Sequence, residues 1–372
     1  MEAIENDITV EWNVVTDSPF TPRDGHCCCV CGSKLYVFGG VLQSSDGEMT
    51  ETNDLLNFDA GTMVWQKVAC KNEAPPPRSA AALSCVGKKL YLFGGLNQMC
   101  GWLGDFHVFD TETLTWSSIP AADGPCPRDK LQSVAIDTKI YFFGGFGPKA
   151  TLAMEDDGDE EYEDEDDDDE LPGDQEAAEF GWFNDLYVFD TVSNQWSQPL
   201  QMNLGVPTPR AAHGLCAVGK NLVIMGGRDT EDRQNDIHIF DTETRKWDMG
   251  VNCKGMPPSP RSFHTISAVG NRVVVLGGRG KENQHFDDVS IFAMDTKEWY
   301  KAEVKGKVPS SRGQQAVGVI GDKLIMFGGT SNFSTEIMQC QTTHNDTVLL
   351  RTEDILKGGP TGRNHNGHAE AS

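Results

Sequence analysis

Short apolar runs that end in a pair of glycines punctuate this chain at near-regular intervals. Leu35-Tyr36-Val37-Phe38 runs into Gly39-Gly40, and the pattern returns at Gly94-Gly95, Gly144-Gly145, Gly226-Gly227, Gly277-Gly278 and Gly328-Gly329. Four of the five intervals are 50 to 55 residues, and the one from Gly145 to Gly227 is 82. Around each pair, polar and apolar positions recur in one order. An arginine comes first (Arg23, Arg78, Arg128, Arg210, Arg261, Arg312), then an apolar stretch and a polar turn, then the glycine-ended run. A variable loop follows, then a run such as DLYVFDT or DIHIFDT, a short turn, and a tryptophan at Trp65, Trp116, Trp196, Trp247 or Trp299. Short apolar runs bounded by turn residues predict four strands per repeat, joined by hairpin-type turns. A period near 50 residues marks a repeat architecture whose units cannot bury their faces alone. Four-stranded sheets stacked about an axis do bury them. The expected fold is therefore all-β, a six-bladed β-propeller with four antiparallel strands per blade, spanning residues 8–352.

The sixth repeat has no tryptophan after Gly329. Ile8-Thr9-Val10-Glu11-Trp12-Asn13-Val14-Val15 has the pattern of the missing fourth strand, and Trp12 precedes Arg23 by 11 residues much as Trp116 precedes Arg128 by 12. The N-terminal strand is expected to close the ring. Thr347-Val348-Leu349-Leu350-Arg351 competes with it for the same place.

Charge and cysteine content narrow the partners and the compartment. A net charge of -25 over 372 residues argues against nucleic acid and anionic membranes as partners. No run approaches the roughly 18 apolar residues of a membrane span, and MEAIENDITV lacks the apolar centre of a secretory signal. Eleven cysteines include Cys28 and Cys31 in a C-x-x-C, but no second pair or histidine set stands at zinc-site spacing. On a strand, Cys27, Cys29 and Cys31 share one face and Cys28 takes the other. They are expected, with Cys85 and Cys216, as small thiols packed between blades. Eleven reduced cysteines imply a reducing compartment, cytoplasmic or nuclear.

Two segments fall outside the repeat. Residues 151–180 hold an acidic insert in which 14 of the 16 residues from 155 to 170 are Asp or Glu; such a block repels itself and is expected to be disordered. It offers a surface to a basic partner, or a competitor for a basic pocket. Residues 353–372 are expected to be a solvated, disordered tail, with His365 and His368 only a weak metal pair.

In an up-and-down sheet, the arginine segments and the loops after the double glycines lie at one end. That end collects the six repeat arginines, Lys130, and Arg228, Arg233 and Arg279 from outside the repeat pattern. The repeat arginines suit pairing with nearby Asp and carbonyls that staples the blades. The others suit an anion pocket, because a guanidinium binds a carboxylate bidentately and Ser262, beside Arg261, adds a neutral donor.

The double glycines, the later aromatic and the tryptophan together resemble the kelch repeat, over roughly residues 8 to 350. RAAHGLCAVGKNLVIMGGRDTEDRQNDIHIFDTETRKW (210–247), RSFH (261–264), RDKL (128–131) and GWFNDLYVFDT (181–191) are similar to kelch-domain substrate receptors that capture C-terminal glycine ends for cullin ubiquitin ligases. That resemblance implies that Arg228, Arg233 and Ser262 hold a peptide carboxylate and that Lys130 and Trp182 line the pocket. Arg261, Phe263 and Arg279 complete the expected ligand-binding set. It also implies an elongin adaptor and a cullin as further partners. Phe263 stands where that family usually has Trp, and Phe180 where a basic residue is expected. LLRTEDILKGGPTGRNHNGHAEAS has no Cys and is Gly-rich, unlike the family's elongin-binding box. Some kelch-type propellers are copper oxidases built on Tyr, His and Cys. Here Tyr36, Tyr91, Tyr141 and Tyr187, and His26, His213 and His264, recur in phase with the repeat, so no catalytic constellation, metal or cofactor is expected. The leading expectation is a non-catalytic protein-interaction module that binds a peptide or protein C-terminus on the Arg-lined face. A ligase receptor and a scaffold acting through the acidic insert are the alternatives.

Overall fold

The computed structural model describes residues 8–43, 48–149, 179–202, 205–248 and 251–358. Nearly all regular structure in them is β. Six sheets of at least four antiparallel strands follow one another along the chain. The fourth is representative: Gly214–Val218, Asn221–Arg228, Arg233–Asp241 and Lys246–Asp248 pair in chain order. Its second strand reads NLVIMGGR with Leu222, Val223, Ile224 and Met225 all fully buried. A strand apolar on both faces needs cover on both, and here the neighbouring sheets provide it.

The core is accordingly divided into slabs, each shared by two consecutive sheets. Tyr141, Phe143 and Leu186 of the third sheet pack with Leu222, Ile224, Phe240 and Trp247 of the fourth. Met225, Ile237 and Ile239 pack with Val273, Val275, Phe292 and Trp299 of the fifth. A further slab joins Phe327 and Ile325 of the sixth sheet to Leu35, Val37, Phe58 and Trp65 of the first. The repeated tryptophans therefore fill the space between sheets. Trp65 also donates its indole N–H to Thr347 Oγ at 2.8 Å, tying the first sheet to the sixth. Sheets stacked in this way about a common channel are the arrangement of a β-propeller.

The sixth sheet corrects one expectation. The N-terminal strand Thr9–Asp17 and the strand Asp346–Arg351 do not compete for one place. They are neighbours, with Val14 opposite Val348 and Asn13 opposite Leu349. Asp346–Arg351 is the third strand, paired to Lys323–Phe327 with Phe327 opposite Thr347. The N-terminal strand lies outside it as the fourth, and its first half also pairs in parallel with Glu303–Gly306. DTVLLRT is thus the sixth repeat's counterpart of DLYVFDT, without its aromatic residues.

Where the sequence placed the start of a tail, at 353, the chain forms the helix Thr352–Leu356. Ile355 on it is fully buried in the slab between the fifth and sixth sheets. Arg272 holds the helix by donating to the Ile355 carbonyl at 2.5 Å and the Gly358 carbonyl at 2.6 Å. The acidic block and residues 359–372 lie outside the described residues. Among the described residues no helix is long and apolar enough to cross a membrane.

Cysteine packing follows the strand period. Cys27, Cys29, Cys31 and Cys85 line the slab between the first and second sheets, and Cys28 lies in the slab between the sixth and the first.

Candidate functional site

The arginine of each repeat stands four residues before the first strand of its sheet and is almost wholly enclosed. Each donates to the carbonyl of the first glycine of its own double glycine, 16 residues on. Five also clamp an aspartate at the start of the third strand: Arg78 with Asp105, Arg128 with Asp185, Arg210 with Asp236, Arg261 with Asp288 and Arg312 with Asp346. Arg23 reaches Asp54 only at 3.9 Å, and Lys67 takes that carboxylate at 2.6 Å. Burial pushes the Asp105 and Asp236 carboxyls up. The bonds from Arg78 and His107, and from Arg210 and His238, outweigh it and hold both well below the usual range.

These arginines are staples, and Arg261 is one of them. It donates to Gly277 at 2.8 Å, to Asp288 at 2.8 and 3.0 Å and to Ser259 at 3.0 Å, and it stacks on Phe286. Every edge of its guanidinium is committed, so it belongs to the framework of the expected pocket and not to its lining.

The double glycine has a matching role. Its second N–H donates to the carbonyl of the next repeat's arginine, as Gly40 does to Arg78 and Gly227 to Arg261, both at 2.9 Å. Two residues after each arginine the backbone turns left-handed, at Gly25, Ala80, Lys130, Ala212, Phe263 and Gln314. Consecutive members are linked N–H to carbonyl around the channel mouth: Ala80 to Gly25, Lys130 to Ala80, Ala212 to Lys130, Phe263 to Ala212 and Gln314 to Phe263, at 2.7 to 3.0 Å. Below this rim, a cavity of about 440 Å³ runs between the innermost strands.

The residue before each rim position pairs with the residue after a double glycine, Ala211 with Arg228 and Ser262 with Arg279. This register puts the arginines outside the repeat pattern on the mouth, as the strand directions required. Arg233 is buried; its Nε donates to Ser262 Oγ at 2.9 Å and its terminal nitrogen to Asn283 Oδ1 at 3.2 Å. Ser262 has no exposed surface. It therefore orients Arg233. The Arg279 guanidinium lies between two aromatic rings, 3.8 Å from the Phe333 centroid and 5.1 Å from that of Phe263. Among the described residues its Nε is buried without a hydrogen-bond partner. Burial, then the charges of Arg233 and Arg228, lower its pKa to about 10, which leaves it cationic at neutral pH. Burial and the Arg228 charge lower Arg233 as well. Arg228 is exposed, and among the described residues no hydrogen-bond or ion-pair partner holds its side chain. Three like charges thus converge on one patch.

Lys130 and Trp182 stand elsewhere on the mouth. The Lys130 ammonium is paired with Asp129 next to it. Trp182 stacks edge-on against Phe146 at 5.1 Å, in an aromatic group with Trp102 and the half-exposed Phe180. Phe333 and Asn283 escape the sequence pattern because the segments after the double glycines differ from repeat to repeat, and Asp24, which follows Arg23 as Ser262 follows Arg261, because its residue type differs from its counterparts. Asp24 faces the cationic patch. Burial raises its pKa to about 6, against the opposing pull of the Gly25 N–H, the Arg279 charge and the Thr330 hydroxyl.

A raised carboxyl costs stability only where the group is ionised in the unfolded chain. The penalty is absent below about pH 4, grows as pH rises toward 6 and is complete above it. Asp24→Asn is expected to stabilise the fold by about 1–2 kcal/mol at pH 7.5 and by nothing at pH 3.5. Urea melts at the two pH values measure this; equal differences at both would contradict the assignment.

His213 and His264 are buried and His26 is half-buried with its ring enclosed, and burial lowers the pKa of each. They are neutral packing groups of the inner strands. Among the described residues no group of three His, Cys, Asp or Glu could hold a metal ion.

An all-β stack of repeated sheets, with a structural arginine and double glycine in each and a loop-built cationic mouth, defines a repeat protein of the protein-binding type. The family model described as the KLHDC2/KLHL20/DRC7 Kelch-repeats domain matches residues 6–145 and 173–329. The chain belongs to the kelch-repeat family. It is 30% identical to mouse Kelch domain-containing protein 1 over 344 residues, covering 89% of this chain and 80% of that one. It is 26% identical to bovine Kelch domain-containing protein 2 over 342 residues, covering 88% and 80%. With human Kelch domain-containing protein 3 the identity is 27% over 361 residues, covering 90% and 85%.

Proposed function

We propose that this protein is a non-catalytic interaction module that binds a peptide or protein C-terminus at the cationic mouth of a six-bladed propeller, with the N-terminal strand closing the ring. The observation that carries the proposal is the patch of Arg228, Arg233 and Arg279. Arg279 has a buried Nε without a partner, Arg233 is aimed by Ser262, and Arg228 is exposed beside them. Asp24 offsets only part of the repulsion among three guanidinium groups, and a ligand carboxylate relieves more of it through charge-assisted, bidentate hydrogen bonds. The aromatic group of Trp102, Phe146, Phe180 and Trp182 offers a wall for the residues that precede the terminus. The slab between the sixth and first sheets supports ring closure.

The test is binding of fluorescent peptides that end in Gly-Gly, with a free or an amidated C-terminus. The free carboxylate is expected to bind and the amide to lose at least tenfold. Arg228→Ala is expected to weaken the free peptide about 10- to 100-fold, as loss of a charge-assisted contact worth about 1.5–3 kcal/mol requires. Ser262→Ala, which acts through Arg233, is expected to cost less than Arg228→Ala. Equal binding of the two peptides would refute end recognition.

A further inference from the structure

Another pair of groups lies at the opposite end of the inner strands, away from the cationic mouth. Cys31 ends the first strand of the first sheet, Cys27–Cys31, and Cys85 stands one residue from the end of the corresponding strand of the second, Ala82–Val86. The two strands run side by side. Both thiols point at one acceptor: Cys31 Sγ lies 3.6 Å and Cys85 Sγ 3.5 Å from the Gly87 carbonyl oxygen. Both are half-buried, whereas Cys27, Cys28 and Cys29, although also partly exposed by residue, have their thiols enclosed by the packed slabs.

We propose that Cys31 is a peroxide-oxidisable site and that Cys85 is its resolving partner, giving a reversible disulfide that ties the first sheet to the second. The Cys85 thiol beside it, helped by the Thr111 hydroxyl, outweighs burial and holds the Cys31 thiol below its ordinary value. Cys85 is pushed up by the neighbouring Cys31 and by burial. One sulfur is thus poised as nucleophile and the other is kept protonated beside it. Burial pushes Cys27 and Cys28 up to about 13 and about 11, and Cys29 well above its ordinary value, so they stay protonated and unreactive.

The chemistry balances with a hydroperoxide as the oxidant. The Cys31 thiolate attacks the peroxide, the O–O bond breaks, and a sulfenic acid forms at Cys31 as the alcohol, or water from hydrogen peroxide, departs with a proton. The Cys85 sulfur then displaces hydroxide from that sulfenic acid. Its own proton leaves with the hydroxide as water, and the S–S bond forms. Two thiols and one peroxide give one disulfide, one alcohol and one water. The reducing compartment expected from eleven cysteines returns the pair to the dithiol.

The experiment treats the reduced full chain with hydrogen peroxide at pH 7, blocks free thiols and maps the products by peptide mass spectrometry. A single cross-link between Cys31 and Cys85, reversed by dithiothreitol, is expected. Before oxidation, iodoacetamide should label Cys31 about 10-fold faster than Cys85, since the thiolate is the reacting species. In Cys85→Ser, dimedone should trap the sulfenic acid at Cys31, and in Cys31→Ser, Cys85 should remain unoxidised. A Cys31 that stays fully alkylatable after peroxide, a cross-link to a different cysteine, or equal labelling of Cys31 and Cys85 would each overturn the proposal. The wild-type cross-link decides the matter even if a variant folds poorly.

Discussion

Arg261→Ala is expected to destabilise the protein by about 3–5 kcal/mol, the cost of leaving a buried ion-pair partner alone. Arg261 is 1% and Asp288 16% exposed by side chain, so the aspartate would keep its charge with little water to solvate it. The Gly277 and Ser259 carbonyls lose their donor at the same stroke, and Phe286 loses its stacked cation. Arg261→Lys should recover little, because an ammonium cannot serve two carboxylate oxygens and two carbonyls from one plane. Denaturant melts measure the loss. The same variants separate framework from pocket: if Arg261→Ala unfolded nothing and only abolished peptide binding, Arg261 would be a ligand contact after all. Arg228→Ala should do the reverse, leaving stability within about 0.5 kcal/mol of the parent, as exposed substitutions do.

The second large effect concerns the double glycine. Gly39→Ala should cost about 3 kcal/mol, from a left-handed backbone combined with a contact that cannot relax. At Gly39 φ is +71°, and an added Cβ would stand 2.5 Å from the Arg78 carbonyl oxygen and 3.4 Å from that of Thr52. The Arg78 carbonyl is itself fixed, because Gly40 donates to it at 2.9 Å. The equivalent Gly328 has a similar φ of +64°, but its nearest neighbours are the His344 carbonyl at 3.3 Å and a His26 ring carbon at 3.5 Å. Gly328→Ala should therefore cost only the backbone term, about 1 kcal/mol. Thermal melts of the two variants test this. Equal losses would show that the strained backbone, and not the approach of the neighbouring strand, makes the first glycine necessary.

These two results explain why the repeat was legible in the sequence. The arginine and the first glycine form one contact repeated six times, and the third-strand aspartate joins it in five, so any one of them predicts the others. Strand direction then fixed which end the loops would occupy, and the two-residue period fixed which cysteines face which slab. The staple role of the repeat arginines could be weighed from the sequence. Arg261 was drawn into the pocket because it adjoins Ser262, and adjacency in sequence does not reveal that its side chain is spent on Asp288.

The chain by itself determined the all-β repeat, the number of repeat units, the register of the arginine and glycine pairs, and the end of the stack at which Arg228, Arg233 and Arg279 gather. All of these follow from local periodicity and from the obligation of each sheet to cover two faces. The tertiary structure decided what depends on contacts between distant segments. It placed the N-terminal strand beside Asp346–Arg351 instead of in its stead, and docked Ile355 between two sheets. It buried Ser262 behind Arg233, laid Arg279 between Phe263 and Phe333, and set Asp24 against that patch. It also brought Cys31 and Cys85 onto a single carbonyl. None of these pairs shares a repeat phase, so no period in the sequence records them; they exist because stacking brings different loops and strand ends to the same place.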